Sequence, residues 1–323
     1  VCLVYSSNQY DIIMKRRKTM EYLKINSISD KLPLDVIVSA PEHPKAIFQI
    51  VHGMCEHKER YLDFIEYLND CGYVVIIHDH RGHGKSVLDE TDLGYFYGEG
   101  ARAIVEDVHQ LTNYIKKKYP NLPVCLFGHS MGSLVVRNYI QKYDHEINAL
   151  IVCGSPSKNK LAGLGKLLCK AIAMVKGDKY HSKLLQKMSF GAFNKGFDKP
   201  NEWICSNSQV VDEYNNNPLC TFTFSVNGFY NLLSLMQNTY KNMDYEANKK
   251  LPVLFISGKE DPCLINEKAF NNAVTHLKKQ GYQHVISILF EHMRHEILNE
   301  KYKETVYSTI TTFLVDTMEE NDA

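Results

Sequence analysis

The chain has no long hydrophobic run. Its longest apolar stretch, over 161–175, is interrupted by lysines and is too short to span a bilayer, which takes about 20 consecutive apolar residues. Neither sign of charge dominates: 37 basic residues balance 37 acidic ones, so the basic footprint of a nucleic-acid binder is missing. The nine cysteines contain no C-x-x-C pair, and an odd count without paired spacing argues against a disulfide framework. Cys125 and Cys153 sit inside apolar strand patterns, where a thiol behaves as a small buried hydrophobe. This usage leads to the expectation of a reducing, cytoplasmic compartment. Neither a G-x-G-x-x-G nor a Walker pattern occurs, which removes the usual grounds for nucleotide binding. Internal repeats and low-complexity tracts are absent too. Near the start, a weak apolar patch precedes the basic cluster Lys15-Arg16-Arg17-Lys18, the reverse of the order in a secretory leader. Residues 1–19 are expected to be an upstream extension or a disordered tail, with orderly strand patterning from Met20.

What is present is an ordinary globular composition, 44 % hydrophobic and 23 % charged, in a length that suits one large domain with an insertion, or two domains. Apolar runs of strand length fall at 34–38, 46–51, 74–78, 124–127, 149–153, 253–256 and 285–289. Helical patterns fall at 61–71, 102–118, 132–143, 266–280 and 302–318. Strands that alternate with helices imply βαβ units and an α/β fold, a mostly parallel sheet with helices on both faces. The inner strands are continuous apolar runs, as expected when both faces are covered. The alternation fails over 155–225, which reads as a helical cap inserted into a core of 20–154 and 226–323.

The most informative residues are Gly128-His129-Ser130-Met131-Gly132, between an apolar strand and a helical stretch. Strand, tight turn and helix are the context in which G-x-S-x-G forms a nucleophile elbow, with the serine on a strained turn above the sheet edge. Ser130 then needs a base and an acid to orient that base. Two later strands run into loops at the same edge. One carries Glu260 and Asp261, of which Asp261 is the expected acid. The other carries His292 and His295, between which spacing does not decide. An oxyanion site needs two N–H donors aimed at the developing charge. The amide of Met131 directly follows the nucleophile, and Met54, after Ile50-Val51-His52-Gly53, is placed to give the second. The cluster His78-Asp79-His80-Arg81-Gly82-His83-Gly84-Lys85-Ser86 contains imidazole and carboxylate ligand types, but nothing with zinc-like spacing accompanies it. It reads as a hydrogen-bonded loop bracing the site, with neither metal nor cofactor expected.

With these residues assembled, the chain resembles the α/β-hydrolase family of monoacylglycerol lipases, bacterial lysophospholipases and serine aminopeptidases. The resemblance runs from about Lys31 to Phe313. It rests on His52-Gly53-Met54-Cys55-Glu56-His57 with Arg60-Tyr61, the Asp79–Ser86 loop, the serine motif, Gly258-Lys259-Glu260-Asp261-Pro262 and Arg294-His295-Glu296-Ile297-Leu298-Asn299-Glu300. It implies an α/β-hydrolase fold and places the histidine role on His295, which precedes an acidic residue and the Leu-Asn-Glu run. The loop departs from the family at His292 and Met293, where small residues are usual. The resemblance also implies that the cap shapes the pocket and touches membranes. Leu161, Leu164, Leu167, Leu168, Ile172 and Val175 are candidates for an acyl wall, or for the packing of the cap on the core. The expected activity is hydrolysis of a lipid-like ester, a monoacylglycerol or lysophospholipid, by Ser130, Asp261 and His295. Two rivals share the fold: an acyltransferase, and a peptidase that would use a cap acid such as Glu202, Asp212 or Glu213 to hold an ammonium group.

Overall fold

The computed structural model describes residues 18–241 and 245–319, with the side chains of the last two residues left out. Eight strands form one sheet: β1 (Thr19–Asn26), β2 (Pro33–Ala40), β3 (Ala46–Val51), β4 (Tyr73–His78), β5 (Val124–His129), β6 (Ala149–Cys153), β7 (Val253–Gly258) and β8 (Val285–Phe290). The helices are α1 (Leu62–Asp70), α2 (Gly100–Lys118), α3 (Met131–Tyr143), α4 (Ala162–Lys176), α5 (Lys183–Phe190), α6 (Ser208–Asn216), α7 (Val226–Thr239), α8 (Glu267–Lys279) and α9 (Lys303–Glu319). This is the α/β-hydrolase fold, in the strand order β1-β2-β4-β3-β5-β6-β7-β8. β1 and β2 join antiparallel, and every pairing from β4 to β8 is parallel.

The apolar runs supply two cores at once, because side chains in a strand alternate faces. In β3 and β5, Ile47, Val51 and Leu126 enter the core formed with α2, α3, α7 and α8. Phe48, Ile50, Cys125 and Phe127 enter the other, formed with α1 and α9. That division explains why these strands read as continuous hydrophobic segments.

Two elements were not among the expected ones. β1 is an edge strand whose residues are exposed or half-buried, so it has no apolar run, and it pairs over its whole length with β2. It opens at Thr19, one residue before the expected boundary. The rest of the expected N-terminal extension, up to residue 17, lies outside the described residues. α7 starts where Ser225 caps it, its hydroxyl accepting from Gly228 N–H. Gly228 and Asn231 interrupt its helical pattern. Over 155–225 the structure has α4, α5 and α6 joined by turns, with one isolated bridge between His181 and Ser225.

The order of strands positions the site. The chain runs from β3 outward to β4 and returns on the other side of β3 as β5, so strand order reverses there. In open α/β sheets, ligands bind outside the carboxyl ends of strands at such a switch point. Val51 and Gly128 are partners across the β3–β5 ladder, which brings the His52-Gly53-Met54 loop beside Ser130. The loops after β7 and β8 leave the same edge because those strands are parallel to β5.

Candidate active site

Ser130 stands between β5 and α3 with φ 52° and ψ −117°, a strained region for a residue with a side chain. The close approach of backbone around it explains the flanking glycines. A side chain on Gly132 would run into the carbonyl oxygens of Val51 and His52. Gly53 lies so near that a carbon added to it would sit 3.0 Å from Ser130 Cβ.

The loops after β7 and β8 converge on this serine. His295 Nε2 is 2.8 Å from Ser130 Oγ, and His295 Nδ1 is 2.8 Å from Asp261 Oδ2. Asp261 also accepts from Ser257 Oγ at 3.0 Å and from Cys263 N–H at 2.8 Å. A carboxylate accepting this many donors holds Nδ1 as the protonated ring nitrogen and leaves Nε2 to accept from the serine hydroxyl. Asp261 and His295 are each 4 % exposed. The competing residues lie elsewhere: the His292 and Glu260 side chains are 89 % and 52 % exposed and stand 3.5 Å apart at the surface.

The two expected N–H donors are also adjacent. Met131 is the first residue of α3, and a helix leaves its first amides without intrahelical acceptors and with positive dipole character. Met54 follows the glycine packed on Ser130. Neither amide has a hydrogen-bond acceptor among the described residues, whereas the Gly53 N–H is taken by Glu56 Oε1.

Glu56 is a hub that the motifs contained but that sequence reasoning gave no role. Its Oε1 accepts from Gly53 N–H, from His129 Nδ1 at 2.9 Å and from Tyr61 OH at 3.0 Å. Burial pushes the carboxyl upward, but the charge and hydrogen bond of His129, with Arg60 and the Gly53 amide, outweigh it and hold the group at about 2. Burial lowers the pKa of His129, and Glu56 reverses that, so it is raised above the ordinary value. A buried ion pair therefore ties the Gly53–Met54 loop to the residue beside the serine, and His129 Nε2 reaches the His295 carbonyl at 3.3 Å. Arg60 makes a two-pronged contact with Glu296 at 2.6 and 2.7 Å. Glu56, Arg60 and Glu296 all stand in the motifs that carry the resemblance, among several other charged residues, and nothing in their spacing pairs them.

The loop after β4 is held by charge. Lys58, fully buried, places its ammonium 2.7 Å from both Asp79 and Asp35. Asp79 also accepts the amides of Lys58 and Lys85. His52, His78, His80 and His83 pack together, and burial pushes all four pKa values down. The His80 N–H donates to His52 Nε2 at 2.9 Å, so this cluster props the strand end from which the Met54 loop departs.

Cap residues complete the surroundings. Trp203, on a single turn at Glu202–Ile204, packs its ring against that of His295, the centroids 5.2 Å apart and the planes tilted by 45°. Of the apolar candidates on α4, Leu168 and Ile172 pack partly on the core. Leu161, Leu164, Leu167 and Val175 instead face solvent at 63–78 % exposure. The cap acids are engaged with neighbours: Asp212 with Lys199 at 2.8 Å, Glu213 with Gln209 at 3.0 Å, and Glu202 near Arg294 at 3.6 Å.

Sheet order and loop placement define the chain as an α/β hydrolase. It belongs to the family described as serine aminopeptidase, S33, whose model matches residues 42–302. It is 25 % identical over 280 residues to a monoacylglycerol lipase of Mycolicibacterium smegmatis, covering 84 % of this chain and 89 % of that one. A phospholipase of Bacillus subtilis is 25 % identical over 276 residues, covering 84 % and 96 %. Among solved structures, a carboxyl esterase from Bacillus coagulans in complex with glycerol superposes with a TM-score of 0.83 at 26 % identity, covering 92 % of this chain and 98 % of the other. The chain is thus a hydrolytic enzyme similar to monoacylglycerol lipases and lysophospholipases.

Proposed function

We propose that this enzyme hydrolyses carboxylic esters of lipid-like alcohols, monoacylglycerols or lysophospholipids, through an acyl-enzyme on Ser130. The observation that carries the reading is the continuous hydrogen-bonded line Ser130–His295–Asp261, two contacts of 2.8 Å each, on a strained serine at the sheet's switch point. His295 Nε2 takes the hydroxyl proton as Ser130 Oγ bonds to the ester carbonyl carbon. Asp261 keeps the ring in the productive tautomer and stabilises the imidazolium. The Met54 and Met131 amides receive the negative charge on the carbonyl oxygen, and losing one such donor typically slows the reaction by about 10²–10³. The C–O bond to the alcohol then breaks, and His295 returns the proton to the leaving oxygen. Water repeats the sequence on the acyl-enzyme and releases the fatty acid. No step calls for a metal or cofactor.

The substrate class rests on the relatives together with the cap. Residues 155–225 serve as an insertion over the site. Its exposed Leu161, Leu164, Leu167, Met174 and Val175 lie in a segment, 155–190, where eight lysines face one acid, Asp178. Apolar side chains among basic ones suit transient contact with a lipid surface. The eight described cysteines are all free thiols, which supports a reducing, cytoplasmic setting. The peptidase reading is weaker because its candidate acids already have partners.

The test is turnover of p-nitrophenyl esters from acetate to palmitate and of aminoacyl arylamides, by the wild type and by Ser130→Ala. Activity on medium or long esters that vanishes in the variant is expected. Arylamide turnover without ester turnover would overturn the reading in favour of a peptidase. Acyl transfer to added glycerol in place of acid release would replace hydrolysis by transfer.

A further inference from the structure

We propose that Trp203 reads the alcohol half of the substrate, its indole N–H donating to a free hydroxyl of the leaving group. The enzyme then favours esters of polyols over esters of simple alcohols. The inference builds on the reading of Ser130 and His295 given above.

Trp203 is the only tryptophan in the chain and is 8 % exposed. Its ring lies 5.2 Å from the His295 ring at 45° and 5.0 Å from Phe193 in an edge-on contact. Its Nε1 is buried and has no hydrogen-bond partner among the described residues. Buried indole N–H groups ordinarily find an acceptor, and a native orphan donor calls for a specific explanation. Here the orphan belongs to a ring packed on the histidine that must hand a proton to the leaving alcohol.

The placement follows from the reaction. The leaving oxygen has to come within about 2.6–3.2 Å of His295 Nε2 to be protonated. The alcohol half of the ester therefore lies against the surroundings of that ring. Asp261 takes Nδ1, and two rings pack on the imidazole: His129, 5 % exposed, at 4.8 Å, and Trp203 at 5.2 Å. A hydroxyl two carbons from the ester oxygen, as in a glycerol ester, gives the indole an acceptor. A methyl or ethyl ester gives it none, and the N–H stays unpaired. Sites that hydrogen-bond a substrate hydroxyl reject analogues lacking it because the buried partner is stranded.

The turn that carries Trp203 is fastened to the loop that carries His295, so the two rings keep their spacing. Glu296 N–H donates to the Ile204 carbonyl at 2.7 Å. The Arg294 guanidinium donates to the carbonyls of Glu202 at 2.6 Å and Cys205 at 3.0 Å. Glu300 accepts from the Arg294 amide and from Ser206 N–H, both at 2.9 Å.

Trp203→Phe keeps an aromatic ring against His295 and removes only the donor. The expected result is a fall of about tenfold in kcat/KM for 1-monodecanoylglycerol, the scale of one lost hydrogen bond, with ethyl decanoate changed less than twofold. Equal losses on both esters would mark a purely structural ring and overturn the proposal; so would no loss on either. Because the chain holds a single tryptophan, its fluorescence reports this ring alone. In Ser130→Ala, the non-hydrolysable ether 1-O-decylglycerol, below its micellar concentration, should shift the emission saturably, and decyl ethyl ether should not. That titration separates the two ideas. A saturable shift in a protein that cleaves neither ester would keep the Trp203 subsite and sink the ester reading. Ester cleavage with no discrimination by the indole would do the opposite.

Discussion

Replacing Glu56 with Gln isolates the charge that couples the Gly53–Met54 loop to His129, the residue beside Ser130. The variant retains an oxygen that can accept from Gly53, while the ion pair with His129 is lost. Both partners are at least 95 % buried, and removing one member of a buried pair costs about 3–5 kcal/mol when nothing replaces it. Glutamine keeps the shape and part of the hydrogen bonding, so the expected loss is about 2–3 kcal/mol. For a chain of this size that lowers the melting temperature by about 3–4 °C. The kinetic effect comes through the Gly53–Met54 segment. A loosened donor is worth less than the about 10²–10³ of a deleted one, so kcat should fall by about tenfold with KM little changed. The pH dependence has a definite sign. Glu56 is depressed to about 2, so its contribution is complete above the ordinary carboxylate value of 4.5 and is lost as pH falls toward 2. His129 is raised, so its contribution is complete below 6.5 and is lost as pH rises through its folded value. The gap in melting temperature between wild type and variant is therefore widest between roughly pH 4.5 and 6.5 and narrows on both sides. Calorimetric scans across pH and a kcat/KM series on a p-nitrophenyl ester measure all of this. Unchanged stability at pH 6, or a gap that widens toward pH 9, would refute the ion-pair account.

Two further outcomes follow from where side chains lie. His295→Ala should reduce ester turnover by at least about 10³, while the exposed His292→Ala should stay within twofold of wild type; the reverse ranking in a steady-state assay would reassign the base. The double change Leu164→Glu, Leu167→Glu alters side chains that are 65 % and 63 % exposed. It should leave p-nitrophenyl butyrate turnover intact and weaken co-sedimentation with anionic vesicles severalfold; equal sedimentation would remove the cap from the membrane contact.

Much of this architecture was readable before any coordinates because its central strands are covered on both sides. Burial on two faces makes 74–78 or 149–153 an uninterrupted apolar run, which is the loudest signal a strand can give. β1 is quiet for the opposite reason: an edge strand needs only one face covered, so Leu23 and Ile25 alternate with Tyr22 and Lys24. Ser130 was legible because a strained turn demands glycines at fixed offsets. Asp261 and His295 were narrowed to pairs of neighbours by strand position, and the choice between His292 and His295 needed the resemblance, since both sit in one short loop. Glu56 and Trp203 escaped a functional reading because their significance is wholly tertiary. Glu56 matters through His129, 73 residues away, and Trp203 through a ring on another loop. The exposed leucines of α4 show the limit of helical periodicity: the apolar stripe was visible, but which surface it would meet was not.

The most direct test of the account is to treat the protein with a fluorophosphonate and map the adduct by peptide mass spectrometry. The account predicts one stoichiometric adduct on Ser130, abolished in Ser130→Ala and slowed by about 10³ or more in His295→Ala. An adduct on a different serine, or a fully folded protein that stays unlabelled, would contradict it.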